Sequence, residues 1–476
     1  MSETINLLAC DLGASNGRTI LAKFDGKKLE LEVSHQFSNG GHGINNNFYW
    51  DILDLFSEIK TGLKKAVELS NDNIISMAID TWGVDYGLLD KSGNLISLPY
   101  HYRDSRTNNM PEEVFKKIPK EKIYQETGIQ FMEINTIYQL FADLQKRPWV
   151  LENAESLLFI PDLLNYFFTG KKYNELTIAS TSQLFNPLKN QWSKEIFNKL
   201  SLPIDIMQDI IHPGNKLGNL LEDIKEECGI KKDISLMAVG SHDTASAVAA
   251  TPLSDENSIY LSSGTWSLLG MEVDSPIINE KSLEENFTNE LGVDNKVRYL
   301  KNITGLWLIQ ECKRIWDREG LNLSYSDITK AATEAEAFKY RLDPDDSLFA
   351  APDNMPESIR EYCRKTKQAV PETVGEIARG IYESLAFTYK SVIDNLEKVF
   401  DRKIETINMV GGGIQAEILC QYTADITGLK VLAGPIEATA IGNIITQLIA
   451  LGEIADLKEA REIVRNSIEL KEYLPR

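Results

Sequence analysis

Five short segments hold residues whose types and spacing could do chemistry. In Ser241-His242-Asp243-Thr244-Ala245-Ser246, a carboxylate follows an apolar strand-like run, SLMAVG, and opens a small-residue helical run, TASAVAAT. A carboxylate at a helix start can accept the proton of an attacking hydroxyl. That suits phosphoryl transfer, where positioning and charge neutralisation supply most of the catalysis. The plainer alternative is a helix cap formed by Ser241 or Asp243. In Asp11-Leu12-Gly13-Ala14-Ser15-Asn16-Gly17-Arg18, a glycine-containing turn separates two apolar runs. Successive backbone N–H groups in such a turn form an anion nest, and glycine lets a phosphate approach closely. Arg18 adds a positive charge, and Asp11 can hold a hydrated Mg²⁺ through water. The alternative is a plain hairpin turned at Asn16-Gly17. The segment is neither a P-loop, which needs Gly-Lys-Ser/Thr, nor a dinucleotide fingerprint.

Ser262-Ser263-Gly264-Thr265 repeats this design between two later apolar runs, SIYLSS and WSLLGMEV. In Met409-Val410-Gly411-Gly412-Gly413-Ile414-Gln415, three glycines leave a side-chain-free surface after a strand. An adenine or ribose can lie on such backbone; close helix–strand packing also demands small residues. Asp80-Thr81-Trp82-Gly83-Val84-Asp85 joins an aromatic face, a glycine and two carboxylates, the components of a sugar site, against the alternative of a core tryptophan flanked by surface aspartates. The five histidines form no i, i+4 pair and have no cysteine at zinc spacing, and there is no G-x-S-x-G elbow.

The elements that must position these residues alternate between strand and helix, which predicts an α/β protein. INLLAC and TILAKF flank the first turn, and Leu55, Ile59, Leu63 and Val67 lie on one helix face. IISMAI leads into the Trp82 loop. The region about 110–235 is rich in helical signals and reads as a helical insertion or cap. From about residue 254 the pattern restarts, with helices expected at 305–318 and about 373–400, the strands ETINMV and LKVLAG, and a last clear helix in ATAIGNIITQLIALG. The two halves share the order of elements without obvious sequence identity. This predicts a duplicated α/β unit, divided near 248–256, with ligands bound in a central cleft outside strand ends.

Composition fits that reading. The 476 residues are 43% hydrophobic and 25% charged, an ordinary globular balance with length for a large core. The net charge of −20 opposes nucleic acid and anionic lipid, so neither is expected as a partner. It also opposes nucleotides, so a nucleotide site needs local N–H groups, an Arg or Lys, and Mg²⁺. Cys10, Cys228, Cys312, Cys363 and Cys420 are scattered and show no C-x-x-C pair, which fits reduced thiols. MSETINLLACDLG lacks a basic n-region, and no apolar run approaches about 18 residues. A cytoplasmic protein is expected, either monomer or homodimer.

Taken in order, CDLGASNGRTILA, AIDTWGVDYGLLD, YRDSRT, GSHDTASAVAATP, YLSSGTWSLLG, NITGLWLIQECKRIW, VGGGIQAEILCQYTADITG and GPIEATAIGNI resemble the FGGY family of carbohydrate kinases over roughly residues 5–455. The resemblance implies an actin-like, hexokinase-like (ribonuclease H-like) duplicated fold. It implies a sugar-binding domain at 1–250 and a nucleotide-binding domain at 251–476. It also implies Mg²⁺-ATP-dependent phosphorylation of a small ketose, with Asp243 as catalytic base. By position, Ala14, Ser15, Asn16, Gly17 and Arg18 would bind ATP phosphates, with Asp11 near Mg²⁺ through water. Thr265, Gln310 and Gly412 would contact the nucleotide. Gly83, His242, Asp243, Thr244 and Asn302 would contact the ketose. The TWGVD loop sets this chain apart from xylulose, gluconate and glycerol kinases and points to L-rhamnulose. Departures are Asn16, where serine is common, and the Tyr86-Gly87 and Ile303-Thr304 pairs. Other acceptors, L-fuculose or xylulose, and a non-catalytic actin-like ATP-binding module are the alternatives.

Overall fold

The computed structural model describes residues 4–476, which form two compact units. One unit runs to Ala250 and also takes in Glu272–Tyr299 and Ala438–Ser467. The other comprises Thr251–Met271, Leu300–Glu437 and Ile468–Arg476. The units are therefore not two uninterrupted halves.

The first unit is built on six strands, β1 (Ile5–Leu12), β2 (Asn16–Phe24), β3 (Leu29–Ser38), β4 (Ile74–Thr81), β5 (Lys216–Asn219) and β6 (Ser235–Met237), in the order β5-β6-β4-β1-β2-β3. β1 pairs antiparallel with β2 and parallel with β4, and β4 pairs parallel with β6. Parallel strands are buried on both faces, so β1 and β4 read as nearly continuous apolar runs. Helix α1 (Ile52–Leu69) buries Leu55, Ile59, Leu63 and Val67, the face its spacing marked. Between β4 and β5 lie six helices of five to eleven residues, from Met110–Phe115 to Leu176–Ser180 (α2), followed by Lys194–Leu200. The sheet strand β5 falls within the region that read as helical, whereas β6 opens the run SLMAVG that read as a strand. The short, mixed β5 segment carries too little alternation to mark a strand.

The second sheet holds β7 (Ser258–Ser263), β8 (Trp266–Val273), β9 (Thr288–Leu291), β10 (Val297–Thr304), β11 (Thr406–Val410), β12 (Lys430–Ala433) and β13 (Lys471–Tyr473), ordered β9-β10-β8-β7-β11-β12-β13. Its central run β10-β8-β7-β11-β12 repeats the β3-β2-β1-β4-β6 order of the first sheet, with β7 antiparallel to β8 and parallel to β11. The duplication predicted from element order is thus present in the strand order. After β6 comes α3 (Asp243–Ala250), and after β10 comes α4 (Trp307–Arg318). The long helix α5 (Val374–Phe400) starts at a capping box, in which Thr373 and Glu376 satisfy each other's backbone N–H groups.

Helix α6 (Ala438–Leu451) and α7 (Leu457–Ser467) belong to the first unit. α7 extends past the last helix expected from sequence. α6 lies so close to α3 that a Cβ on Gly442 would stand 1.7 Å from the Ser246 carbonyl oxygen. Its Gln447 donates to the Leu8 carbonyl (3.1 Å) and accepts from the Ser76 hydroxyl (2.6 Å), which ties it to β1 and β4. Among the described residues, no helix is long and apolar enough to cross a membrane. All five cysteines are buried free thiols.

Candidate active site

Three neighbouring strands of the first unit end in a carboxylate or deliver one just beyond. Asp11, near the end of β1, is the register partner of Asp80 on β4. The chain leaving β6 makes a parallel bridge between His242 and Thr81, and the Thr81 N–H donates to the Ser241 carbonyl (2.9 Å). Asp243 follows at once. Ligands of open parallel sheets bind outside such carboxyl ends.

Arg18, facing Asp11 across the β1–β2 pair, donates from Nε to the Asp11 carboxylate at 3.2 Å. The turn itself is Gly13–Ser15. Gly13 N–H bonds the Asn16 carbonyl (2.8 Å), and Asn39 ties down Gly13 and Ser15. Asn16 and Gly17 already lie in β2, so Asn-Gly is not the centre of the hairpin. Gly17 is buried against the Phe37 ring, whereas Ser15 and Asn16 are exposed and Ala14 half-buried.

Asp80 is fully buried. Its Oδ2 accepts from Asn443 at 2.6 Å, while Oδ1 has no protein partner. Burial, then the nearby Asp11 charge, pushes its carboxyl well above the usual range. Sequence reading placed Asp80 on a loop as one of two carboxylates of a sugar site or a surface aspartate, and not at the end of a core strand. The signal was available: INLLACD and IISMAID both end an apolar strand run in aspartate.

The loop after β4 is held from below. Asp85 is buried and accepts from the indole N–H groups of Trp50 (2.6 Å) and Trp82 (3.0 Å), from Tyr102 N–H (3.1 Å) and from Gln139 (2.8 Å). Burial lifts its pKa to about 6, against the pull of those donors. Trp82 packs against Trp50 in a tilted pair, with centroids 3.9 Å apart and planes at 32°. The alternative of surface aspartates around a core tryptophan does not hold, because its aspartates are as internal as its tryptophan. Val84 adopts φ of 68°, a strained value for a β-branched residue, with its carbonyl held by Thr136 (2.7 Å). What this frame presents is Gly83, where a Cβ would stand 3.4 Å from both His242 Nε2 and Thr181 Oγ1.

Asp243 is the first residue of α3, one position inside the helix, with 28% of its side chain exposed. Thr244 Oγ1 donates to its Oδ1 at 3.0 Å, and His242 Nε2 lies 3.6 Å from the same oxygen. Ser241 spends its hydroxyl on the Val239 carbonyl (3.4 Å). Behind this segment Glu175, buried at the start of α2, accepts from Thr177 N–H (2.9 Å), the Thr177 hydroxyl (2.6 Å), Ile178 N–H (3.1 Å) and Ser241 N–H (3.3 Å). Thr177 Oγ1 in turn accepts from His242 N–H at 3.2 Å.

Burial raises the Glu175 pKa from 4.5 to about 7. A folded-state pKa above the unfolded one gives stability that is complete below pH 4.5 and fades as pH rises through 7. The fully developed loss is about 3 kcal/mol. Glu175→Gln removes this titration. Urea unfolding from pH 4 to 8 should show the variant gaining on wild type by roughly that amount. A pH-independent difference would mean that Glu175 stays charged in the folded protein.

In the second unit, the turn between β7 and β8 holds Thr265, whose hydroxyl donates to Gln310 Oε1 on α4 at 3.1 Å. Trp307 N–H and Gly305 N–H bond the Thr265 carbonyl, fixing the start of α4 on this turn. β11 runs parallel beside β7, and the glycines that follow it meet Ser263. Gly411 needs its positive φ of 87°, and a Cβ on Gly413 would stand 2.1 Å from Ser263 Oγ. Gly412 is exposed, with only the tip of Gln415 within 4.0 Å of an added Cβ. Close packing therefore accounts for Gly411 and Gly413 and leaves Gly412 open. Asn302 sits half-buried on β10, two residues before Thr304, whose N–H bonds Asp345 (2.7 Å).

Residues 6–250 match the N-terminal domain, and residues 259–451 the C-terminal domain, of the FGGY family of carbohydrate kinases. The chain belongs to this family. Rhamnulokinase of Oceanobacillus iheyensis is 44% identical over 466 residues, covering 98% of this chain and 97% of that protein. Rhamnulokinase of Bacteroides thetaiotaomicron is 44% identical over 470 residues, covering 99% and 96%. A ligand-bound xylulose kinase from Lactobacillus acidophilus superposes with a TM-score of 0.81 at 16% identity, covering 99% of this chain and 94% of that one. The FGGY architecture, an actin-like and hexokinase-like pair of α/β domains, is therefore that of this protein. It is an ATP-dependent carbohydrate kinase.

Proposed function

We propose that this FGGY kinase phosphorylates L-rhamnulose on O1 at the expense of Mg²⁺-ATP. The observation that carries the reaction class is the meeting of Asp11, Asp80 and His242-Asp243 beyond parallel strands of the first unit. Asp243 acts as the base. Its partly exposed carboxylate stands at a helix start, takes the proton of the sugar's primary hydroxyl, and is oriented by Thr244.

Carboxylate oxygens suit Mg²⁺, which keeps several of its waters. Among the described residues no three such groups are close enough to ligate a metal directly. The partnerless buried Asp80 Oδ1 and the Asp11 carboxylate fit a hydrated ion held through water. The ion would supply charge neutralisation at the transferred phosphoryl group. The Ala14–Arg18 segment, with Ser15 and Asn16 exposed at the turn, cradles phosphates together with Arg18. Thr265, Gln310 and the open Gly412 contact the nucleotide. Gly83, His242, Thr244 and Asn302 contact the ketose. The buried thiols fit a reducing cytoplasm.

The choice of sugar rests on the rhamnulokinases at 44% identity. A site that bonds particular hydroxyls rejects wrong stereochemistry by about 10- to 100-fold per lost bond. With saturating MgATP, kcat/KM should therefore rank L-rhamnulose above L-fuculose, L-xylulose and D-xylulose, with O1 phosphorylation read by NMR. A different best substrate overturns the assignment within the family.

A further inference from the structure

A buried ion pair of the first unit reaches the imidazole of His242. Arg298, on β10 and 0% exposed, sets its Nη1 3.2 Å from Glu290 Oε2 on β9. Its Nε and Nη2 donate to the Leu291 carbonyl at 3.3 and 3.1 Å, and Nη2 lies 3.1 Å from His242 Nδ1. A guanidinium only donates and stays protonated. Nη2 has two hydrogens. One serves the Leu291 carbonyl, and the other faces Nδ1, which must offer its lone pair. Glu290 Oε2 lies 3.3 Å from Nδ1, near enough to take a proton from that nitrogen. A hydrogen on Nδ1, however, would oppose the one on Nη2. The carboxylate is matched in charge instead by Arg298 Nη1 at 3.2 Å, in an ion pair without hydrogen-bond alignment.

We propose that Arg298 is a positioning residue that fixes the tautomer of His242, leaving Nδ1 bare and the proton on Nε2. Nε2 is the nitrogen beside Gly83 and Asp243. Nε2–H is then a hydrogen-bond donor to a sugar oxygen next to the base. With the other tautomer the same nitrogen would only accept. Glu290 balances the Arg298 charge, so the donor is set without leaving a net charge behind it. The identity of the ligand rests on the ketose-kinase reading; the tautomer does not.

The competing role for Arg298 is purely structural, a tie between β9 and β10 through Leu291. ¹⁵N NMR of histidine-labelled protein separates the two, with His242→Gln identifying the signal. Wild type should show a protonated Nε2 and a bare Nδ1. Arg298→Lys, which keeps the charge and loses the fork, should mix the tautomers. It should also raise KM for the ketose about tenfold and leave KM for ATP within about twofold. A neutral double variant, Arg298→Gln with Glu290→Gln, should do the same without a buried unpaired charge. A wild-type signal with the proton on Nδ1 overturns the proposal. So does an Arg298→Lys variant with unchanged tautomer and ketose KM. If both variants fail to fold, the wild-type spectrum alone decides. If no ketose is phosphorylated, the kinase reading falls while the spectrum still tests Arg298.

Discussion

Asp243→Asn should lower kcat by about 10²–10⁴-fold while MgATP still binds. The carboxylate is partly exposed, and its Oδ1 accepts one hydroxyl bond from Thr244, which an amide oxygen can also accept. The helix that follows is anchored by its own backbone, with Ala245 N–H on the His242 carbonyl at 2.7 Å. The variant should therefore fold and keep its melting temperature. ATP protection should persist, because that depends on binding and not on proton transfer. Steady-state kcat within a few-fold of wild type would remove Asp243 as base and leave it as a helix-start residue.

Adjacent glycines should give opposite phenotypes. Gly413→Val forces a side chain into Ser263, with the Cβ 2.1 Å from Oγ and 2.9 Å from the carbonyl oxygen. Such overpacking costs about 1–3 kcal/mol, more where backbone must move, and should appear as a lowered melting temperature. Gly412→Val meets nothing closer than Gln415 Nε2 at 4.0 Å and should leave stability near wild type. If the nucleotide lies on that bare backbone, KM for ATP should rise more than tenfold with the ketose KM unchanged. ATP at 100 times the wild-type Kd should stabilise wild type by about 2.7 kcal/mol and the Gly412 variant by about 1.4 kcal/mol or less. Equal protection of both would show that Gly412 serves only the turn.

The sequence made the strand–turn–strand openings legible because a parallel core strand is apolar throughout and its turn needs glycine or small polar residues. The helical faces of α1 and α5 were equally plain, since an amphipathic period shows which side is buried. A period does not say against what. Asn443 and Gln447 read as polar positions in an apolar helix, and only the fold shows them bonded to Asp80 and Leu8. Arg298 and Glu290 lie in short strand segments where alternation would put polar residues at the surface; their burial is a tertiary fact. The Asp85 network failed for the same reason, because Trp50, Tyr102 and Gln139 come from three separate segments. Candidate site residues were easier, since chemistry-bearing side chains cluster at strand ends, and strand ends can be counted.

The way α6 closes the first unit imposes a timetable on synthesis. The residues that satisfy each other's buried polar groups are made far apart in time, with 363 positions separating Asp80 from Asn443. At about 5–20 residues per second, the Asp80 strand waits roughly 20–70 s for its partner. Through that interval Ser76 and the Leu8 carbonyl lack Gln447, and α3, once made, lacks the helix that packs onto it. The nascent chain therefore carries an open face until α6 has been made, and termination before α6 leaves that face uncovered. Docking of α6 onto β1, β4 and α3 is the event that completes the unit, and it can happen only after Leu451 has been made.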